Sequence, residues 1–72
     1  MQIGELLRLR TDFEELTHGF SMPEGSDINT LNWFVENGYR SNSLRNGFDD
    51  AKQIAITIIT EHNKWQKEVN QL

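Results

Sequence analysis

The C-terminal half of the chain carries the most regular pattern of apolar residues. From residue 41 onward they recur at alternating steps of four and three, which is the spacing of a helix that packs on other helices. The positions are Leu44, Phe48, Ala51, Ala55, Ile58, His62, Trp65, Val69 and Leu72, with His62 the single polar one. This spacing predicts a long helix over about residues 46–72.

The apolar stripe of that helix becomes narrower along its length. Ile54 and Ile59 broaden it in the first half, whereas beyond Glu61 only the heptad positions are apolar. A broad stripe is typical of a core-facing helix and a narrow one of a coiled-coil contact. We therefore predict that the tail of the helix pairs with another helix through a tail seam. The tail seam consists of Ile58, His62, Trp65, Val69 and Leu72.

The start of the long helix has two solutions on sequence alone. The helix either begins near Asn42 and tolerates Gly47 at a cost of about 1 kcal/mol, or follows a short turn over 41–45 and begins between 46 and 49. We favour the second, because Asp49 and Asp50 then suit the positive end of the helix dipole. The β-branched run 54–60 also permits a β-strand, but the heptad pattern continues on both sides of it and favours a helix.

Apolar residues at helical spacing predict a first helix over about 2–18. Its line is Leu6, Leu9, Phe13 and Leu16, with Ile3 and Leu7 beside it. Gly19 is expected to end this helix in a left-handed conformation, which a residue without a Cβ adopts at low cost.

A linker over 20–25, with the only proline, precedes a second and shorter predicted helix. Ser26 or Asp27 is expected to cap it, because a side-chain oxygen there can accept from a free backbone amide. The helix is predicted over about 28–37. Gly38 is expected to end it, with Tyr39 packing back on Phe34.

These elements predict an all-α single domain over residues 1–72. It is a small helical bundle, in which two shorter helices pack on the long C-terminal helix and a coiled-coil-like tail extends beyond them. A chain of 72 residues buries only about 60% of the surface of its unfolded form. We therefore expect additional burial, in a homodimer or against a partner protein.

Composition narrows the classes of function. Seven basic and eleven acidic residues give a net charge of −4, which disfavours nucleic acid as a partner without excluding it. The absence of cysteine excludes disulfides, thiol catalysis and cysteine-based zinc sites. No stretch approaches the roughly 18 apolar residues of a membrane span, and the N-terminal residues do not resemble a targeting signal. We expect a cytoplasmic protein without membrane contact.

Side chains that could catalyse a reaction or hold a metal are dispersed. His18 and His62 lie far apart, and neither has a ligand at metal-binding spacing beyond the adjacent Glu61. The acidic groups at 12–15 and 49–50 lie in polar runs, which is typical of solvated surface rather than of a buried acid/base pair. No catalytic triad order, phosphate-binding glycine loop or metal motif is present. The sequence thus predicts no enzyme, no cofactor and no metal site.

The second helix and the connection after it carry the candidate contact residues. Trp33 is predicted to point away from the apolar face of its helix, as an interface anchor does, although a helix packed on both faces would also place it in the core. The segment 37–47 combines arginines, amides, hydroxyls and an aromatic ring, and holds the only local basic charge. The predicted partner-binding residues are Trp33, Asn37, Tyr39, Arg40, Asn42 and Arg45.

That segment permits three interpretations besides a protein contact. It could be a helix-turn-helix, with Asn42, Arg45 and their neighbours facing base edges and Arg40 facing a phosphate. It could bind a small phosphate-bearing ligand through its arginines. It could also be a plain polar connection between two helices.

The segment 33–42, WFVENGYRSN, followed by FDDA at 48–51, resembles small accessory proteins of tailed bacteriophages. The resemblance covers about a third of the chain. It implies an early-expressed, non-catalytic protein of the host cytoplasm that binds and redirects or inhibits a host enzyme or defence factor. We therefore expect a protein-interaction module, with a dimeric helix-turn-helix DNA-binding regulator and a structural or assembly oligomer as alternatives.

Overall fold

The computed structural model describes residues 1–70, with side chains as far as Val69, as three α-helices. Helix α1 spans Ile3–Leu16, α2 spans Ile28–Asn42 and α3 spans Phe48–Asn70. The β-branched run 54–60 is helical, and no residue within 1–70 forms a strand. The predicted all-α fold is confirmed.

Helices α1 and α2 both pack on α3, as the sequence predicts. Leu16 at the end of α1 lies against Gly47, just before α3, and the amino group of Met1 lies 3.6 Å from the Glu61 carboxylate. Helix α1 therefore runs antiparallel to α3 and reaches as far as Glu61. The buried apolar residues are Phe13, Leu31, Phe34, Phe48, Ala51, Ala55 and Ile58. Because the small Ala51 and Ala55 are fully buried, the shorter helices can approach α3 closely.

Phe34 of α2 lies at the centre of an aromatic cluster. Its ring centroid is 5.3 Å from that of Phe13 in an edge-to-face arrangement, 5.5 Å from Phe48 and 6.3 Å from Phe20. These distances fall in the range in which aromatic pairs attract beyond their area burial. One ring thus joins α1, α2, α3 and the linker after α1.

The predicted ends of α1 and the predicted start of α2 are confirmed. Helix α1 ends at Leu16, and Gly19 follows with a φ of 86°, the left-handed conformation expected there. Asp27 caps α2 by accepting from the backbone amide of Thr30 at 2.8 Å. Both features are local, because each depends on the backbone within one helical turn.

The predicted end of α2 at Gly38 is wrong. Helix α2 continues to Asn42, and Gly38 is buried within it without a positive φ. A Cβ at this position would lie 2.8 Å from Cδ2 of Phe34, so glycine is required by the close approach of the ring. Tyr39 does not pack back on Phe34 but is 49% exposed.

The start of α3 follows the second of the two predicted solutions. A short turn connects the helices, Gly47 has a φ of 85°, and α3 begins at Phe48. The first turn of α3 contains Asp49 and Asp50, as expected from the helix dipole. Leu44, predicted as the first heptad position, lies outside α3 and is fully exposed.

Candidate interaction surfaces

One exposed surface lies where the chain passes from α2 to α3. We call it the corner surface, and it consists of Tyr39, Arg40, Leu44 and Arg45. The Leu44 side chain is 100% exposed, and both arginines are exposed as well. The turn that carries them is compact, because the amide of Arg45 donates to the Asn42 carbonyl at 2.9 Å. The corner surface therefore presents an apolar side chain and two cations on a short hydrogen-bonded turn.

Tyr39 and Arg40 contact each other on this surface. The Arg40 Nε donates to the Tyr39 hydroxyl at 2.9 Å, and the guanidinium carbon lies 5.5 Å from the centroid of the tyrosine ring. A cation–π contact at an exposed site contributes about 0.5–1 kcal/mol. The contact favours one orientation of the arginine while its terminal nitrogens face solvent.

The corner surface is positively charged in a chain that is negative overall. Residues 37–48 contain Arg40 and Arg45 and no acidic residue, whereas the whole chain has a net charge of −4. Asp49 and Asp50 follow directly in the first turn of α3. The cationic area is thus limited to the turn and to the last turn of α2.

Asn42 is a structural residue and not a contact residue, contrary to the prediction. Its side chain is 1% exposed, its Oδ1 accepts from the Ser21 amide at 2.8 Å, and its Nδ2 donates to the Ser21 carbonyl at 3.3 Å. These bonds fasten the linker after α1 to the end of α2. A side chain that is buried in this way cannot reach a base edge or a partner.

Trp33 and Asn37 are half-buried rather than free on the outer face of α2. Trp33 packs against the core, and the Asn37 side chain donates to the Trp33 carbonyl at 3.2 Å. The alternative in which α2 is packed on both faces describes Trp33 better than that of an interface anchor. Of the six predicted partner-binding residues, Tyr39, Arg40 and Arg45 are exposed.

The tail seam loses its first member to the core. Ile58 is 2% exposed and packs in the centre of the bundle, so it cannot contact another chain. His62 and Trp65 are partly exposed and Val69 is 64% exposed, because α1 ends opposite Glu61. The fifth predicted member, Leu72, lies outside the described residues.

Sequence reasoning missed Leu44, Ile3 and Leu7 as exposed apolar residues. Leu44 was included in the heptad line, although the break expected at Gly47 already implied that the helix starts after it. Ile3 and Leu7 lie beside the main apolar line of α1, which was the available signal that they are not central to the core.

The described residues contain little that is typical of a catalytic site. A cavity of about 420 Å³ between the end of α1 and the following linker is lined by His18, Phe20, Met22 and their neighbours. Within residues 1–70, no three potential metal ligands come together, and no helix is long and apolar enough to cross a membrane. Hydrogen bonds from the Thr30 hydroxyl and amide lower the pKa of Asp27, which its capping role explains.

Comparisons with known proteins add no assignment. A scan against protein-family models, a search of curated proteins and a search of solved structures each found no match. Function is therefore inferred from the surfaces of the chain.

Proposed function

We propose that this chain is a non-catalytic protein-interaction module that binds a larger protein through the corner surface and modulates or inhibits it. The observation that carries the proposal is the full exposure of Leu44 beside Tyr39 and the two arginines. Tyrosine and arginine are enriched among the residues that dominate interface energies. A compact turn also loses little conformational entropy when it binds.

The chemistry of the corner surface points to an acidic partner surface with an apolar depression. Arg40 and Arg45 attract carboxylates, and Leu44 projects between them and the next helix as a side chain that a partner can enclose. The resemblance to bacteriophage accessory proteins supports a host enzyme or defence factor in the host cytoplasm as the partner. The small size of the chain and the dispersed titratable residues support a role without catalysis.

The proposal is tested by capture of the partner with the tagged full-length chain from a lysate of the source cells. Leu44→Asp and the double variant Arg40→Glu/Arg45→Glu are each expected to reduce capture by about tenfold or more, which corresponds to about 1.4 kcal/mol. Arg8→Glu, an equally exposed charge reversal on α1, is the matched control and is expected to keep full capture. Circular dichroism confirms that each variant is folded.

Two results would overturn this proposal. One is capture that is unchanged in both corner variants while they remain folded. The other is capture that falls equally in Arg8→Glu, because binding would then depend on overall charge and not on the corner surface.

A helix-turn-helix DNA-binding regulator is the second candidate, because the exposed arginines follow α2 and precede α3. Two observations place it behind the first. Asn42, a predicted base reader, is buried, and the first turn of α3 carries Asp49 and Asp50, which repel phosphates. DNA binding that falls steeply with salt and is lost in Arg45→Ala would favour this candidate.

A further inference from the structure

The end of the bundle opposite the corner surface leaves part of α1 uncovered. Ile3 is 63% and Leu7 is 56% exposed, although both lie in a regular helix of the bundle. They follow one line of α1 that continues, at helical spacing, through Arg10 and Glu14.

That line faces the side on which α2 packs. The Glu14 carboxylate accepts from the Ser26 hydroxyl at 2.8 Å, and the charge of Arg10 acts on Asp27, the cap of α2. Helix α2 therefore begins beside the C-terminal half of α1. The N-terminal half of α1, including Ile3 and Leu7, extends past the start of α2 and has no helix on this side.

Helix α3 also presents apolar residues on the side away from α1. Glu61 faces the N-terminus of α1, and at about 100° per residue Ile56 and Ile59 lie on the opposite flank of α3. Ile56 is exposed and Ile59 is partly exposed. We call Ile3, Leu7, Ile56 and Ile59 the open face, because they border the space that a longer α2 would fill.

The same end of the molecule carries an apolar stripe without a neighbour. Trp65 and Val69 follow Ile58 on α3 at heptad spacing, but neither packs against the core. Residues 62–70 extend past α1 over about 13 Å. Two such tails paired only with each other would be much shorter than the three to four heptads that a coiled coil requires. Each tail therefore needs a wider apolar surface than another tail provides.

We propose that the chain forms a two-fold symmetric dimer in which the tail of each copy lies across the open face of the other. Charge favours this arrangement over other contacts between two copies that are each negative overall. The tail, residues 62–69, has two lysines against one glutamate, whereas α1 has four acidic residues against two arginines. Opposite net charges on neighbouring segments attract within a Debye length of about 8 Å.

Two-fold symmetry doubles the contact, because each tail and each open face is used once. This doubling is needed to approach the roughly 1,200 Å² of a specific interface from segments as short as these. The corner surface lies at the other end of α3, about 34 Å away over 23 residues, and stays free in the dimer. The proposal therefore stands independently of the proposed function.

The test is the association state of the full-length chain, measured by sedimentation equilibrium over a range of concentrations. The wild-type chain is expected at twice its mass of 8.4 kDa. Leu7→Asp on the open face and Val69→Asp on the tail are each expected to weaken association by about tenfold or more. Ile3→Asp provides a second open-face variant, in which a carboxylate in the first helical turn favours folding.

Mixing the two single variants separates tail exchange from the other ways of pairing. A Leu7→Asp chain has an intact tail and a Val69→Asp chain has an intact open face, so a mixed dimer regains one of the two contacts. The mixture is therefore expected to associate more strongly than either variant alone. Leu44→Asp, at the corner surface, is the matched control and is expected to stay dimeric while partner capture is lost.

Several outcomes would overturn the dimer proposal. A wild-type monomer throughout the concentration range would do so directly. A dimer that is unaffected by the open-face variants would indicate tail-to-tail pairing, and one that is unaffected by Val69→Asp would indicate pairing of the open faces. A mixture that associates no better than its components would also contradict the exchange.

Discussion

Gly38 offers the sharpest test of how the core is packed. Replacing Gly38 with alanine adds a methyl group whose carbon would lie 2.8 Å from Cδ2 and 2.9 Å from Cε2 of Phe34. Phe34 is 1% exposed, with the rings of Phe13 and Phe48 within 5.5 Å of its own. The ring therefore has no free space into which to move.

Two opposing effects set the size of the change. Overpacking a well-packed core costs about 1–3 kcal/mol, whereas alanine is favoured over glycine in a helix interior by about 1 kcal/mol. We expect the packing cost to exceed the gain and Gly38→Ala to lower the free energy of unfolding by about 1 kcal/mol. For a domain of this size that corresponds to a fall in Tm of about 4–8 °C.

The assay is urea unfolding followed by circular dichroism at a fixed protein concentration. Gly4→Ala is the matched control, because Gly4 also lies in a helix and an added Cβ there would meet nothing within 4 Å. Gly4→Ala is expected to be as stable as the wild-type chain or more stable, by up to about 1 kcal/mol. If Gly38→Ala were at least as stable as the wild-type chain, the packing of Phe34 against Gly38 would not be as described.

Two further predictions concern the linker and the cap of α2. Asn42→Ala leaves the buried amide and carbonyl of Ser21 without partners, so we expect urea unfolding to show a loss of about 1–3 kcal/mol, with exposed Asn46→Ala unchanged. Because the pKa of Asp27 is lowered from 3.8 in the folded chain, its contribution is present above 3.8 and is lost as the pH falls through the folded pKa. Asp27→Asn is expected to reduce the fall of the urea midpoint with acid; an unchanged pH dependence would exclude Asp27 as its source.

Residues within one turn of each other account for much of the fold. The spacing of apolar residues predicted α1 and α3, and the chemistry of Asp27 and Gly19 predicted a cap and a helix end that the structure confirms. The turn before α3 was predicted from Gly47 and the two aspartates that follow. In each case the determining interactions lie within about four residues, so they can be read from neighbouring positions.

Contacts between distant segments account for the errors. Gly38 resembled a helix end, but the Phe34 ring that requires it is held by residues from α1 and α3. Asn42 resembled a surface amide, but its partner is Ser21, 21 residues earlier. Neither arrangement follows from helical periodicity, which describes the faces of a helix but not which segment packs on them.

The contact surfaces depend on the same distinction. Heptad spacing runs without interruption from Ile58 to Val69, yet Ile58 is buried and Val69 is exposed. The difference arises because α1 ends opposite Glu61, and Ile3 and Leu7 are exposed because α2 begins only beside Arg10. Local spacing thus accounts for the helices and their apolar faces. Which parts of those faces stay exposed depends on where the neighbouring helices begin and end, because burial requires atoms from another segment.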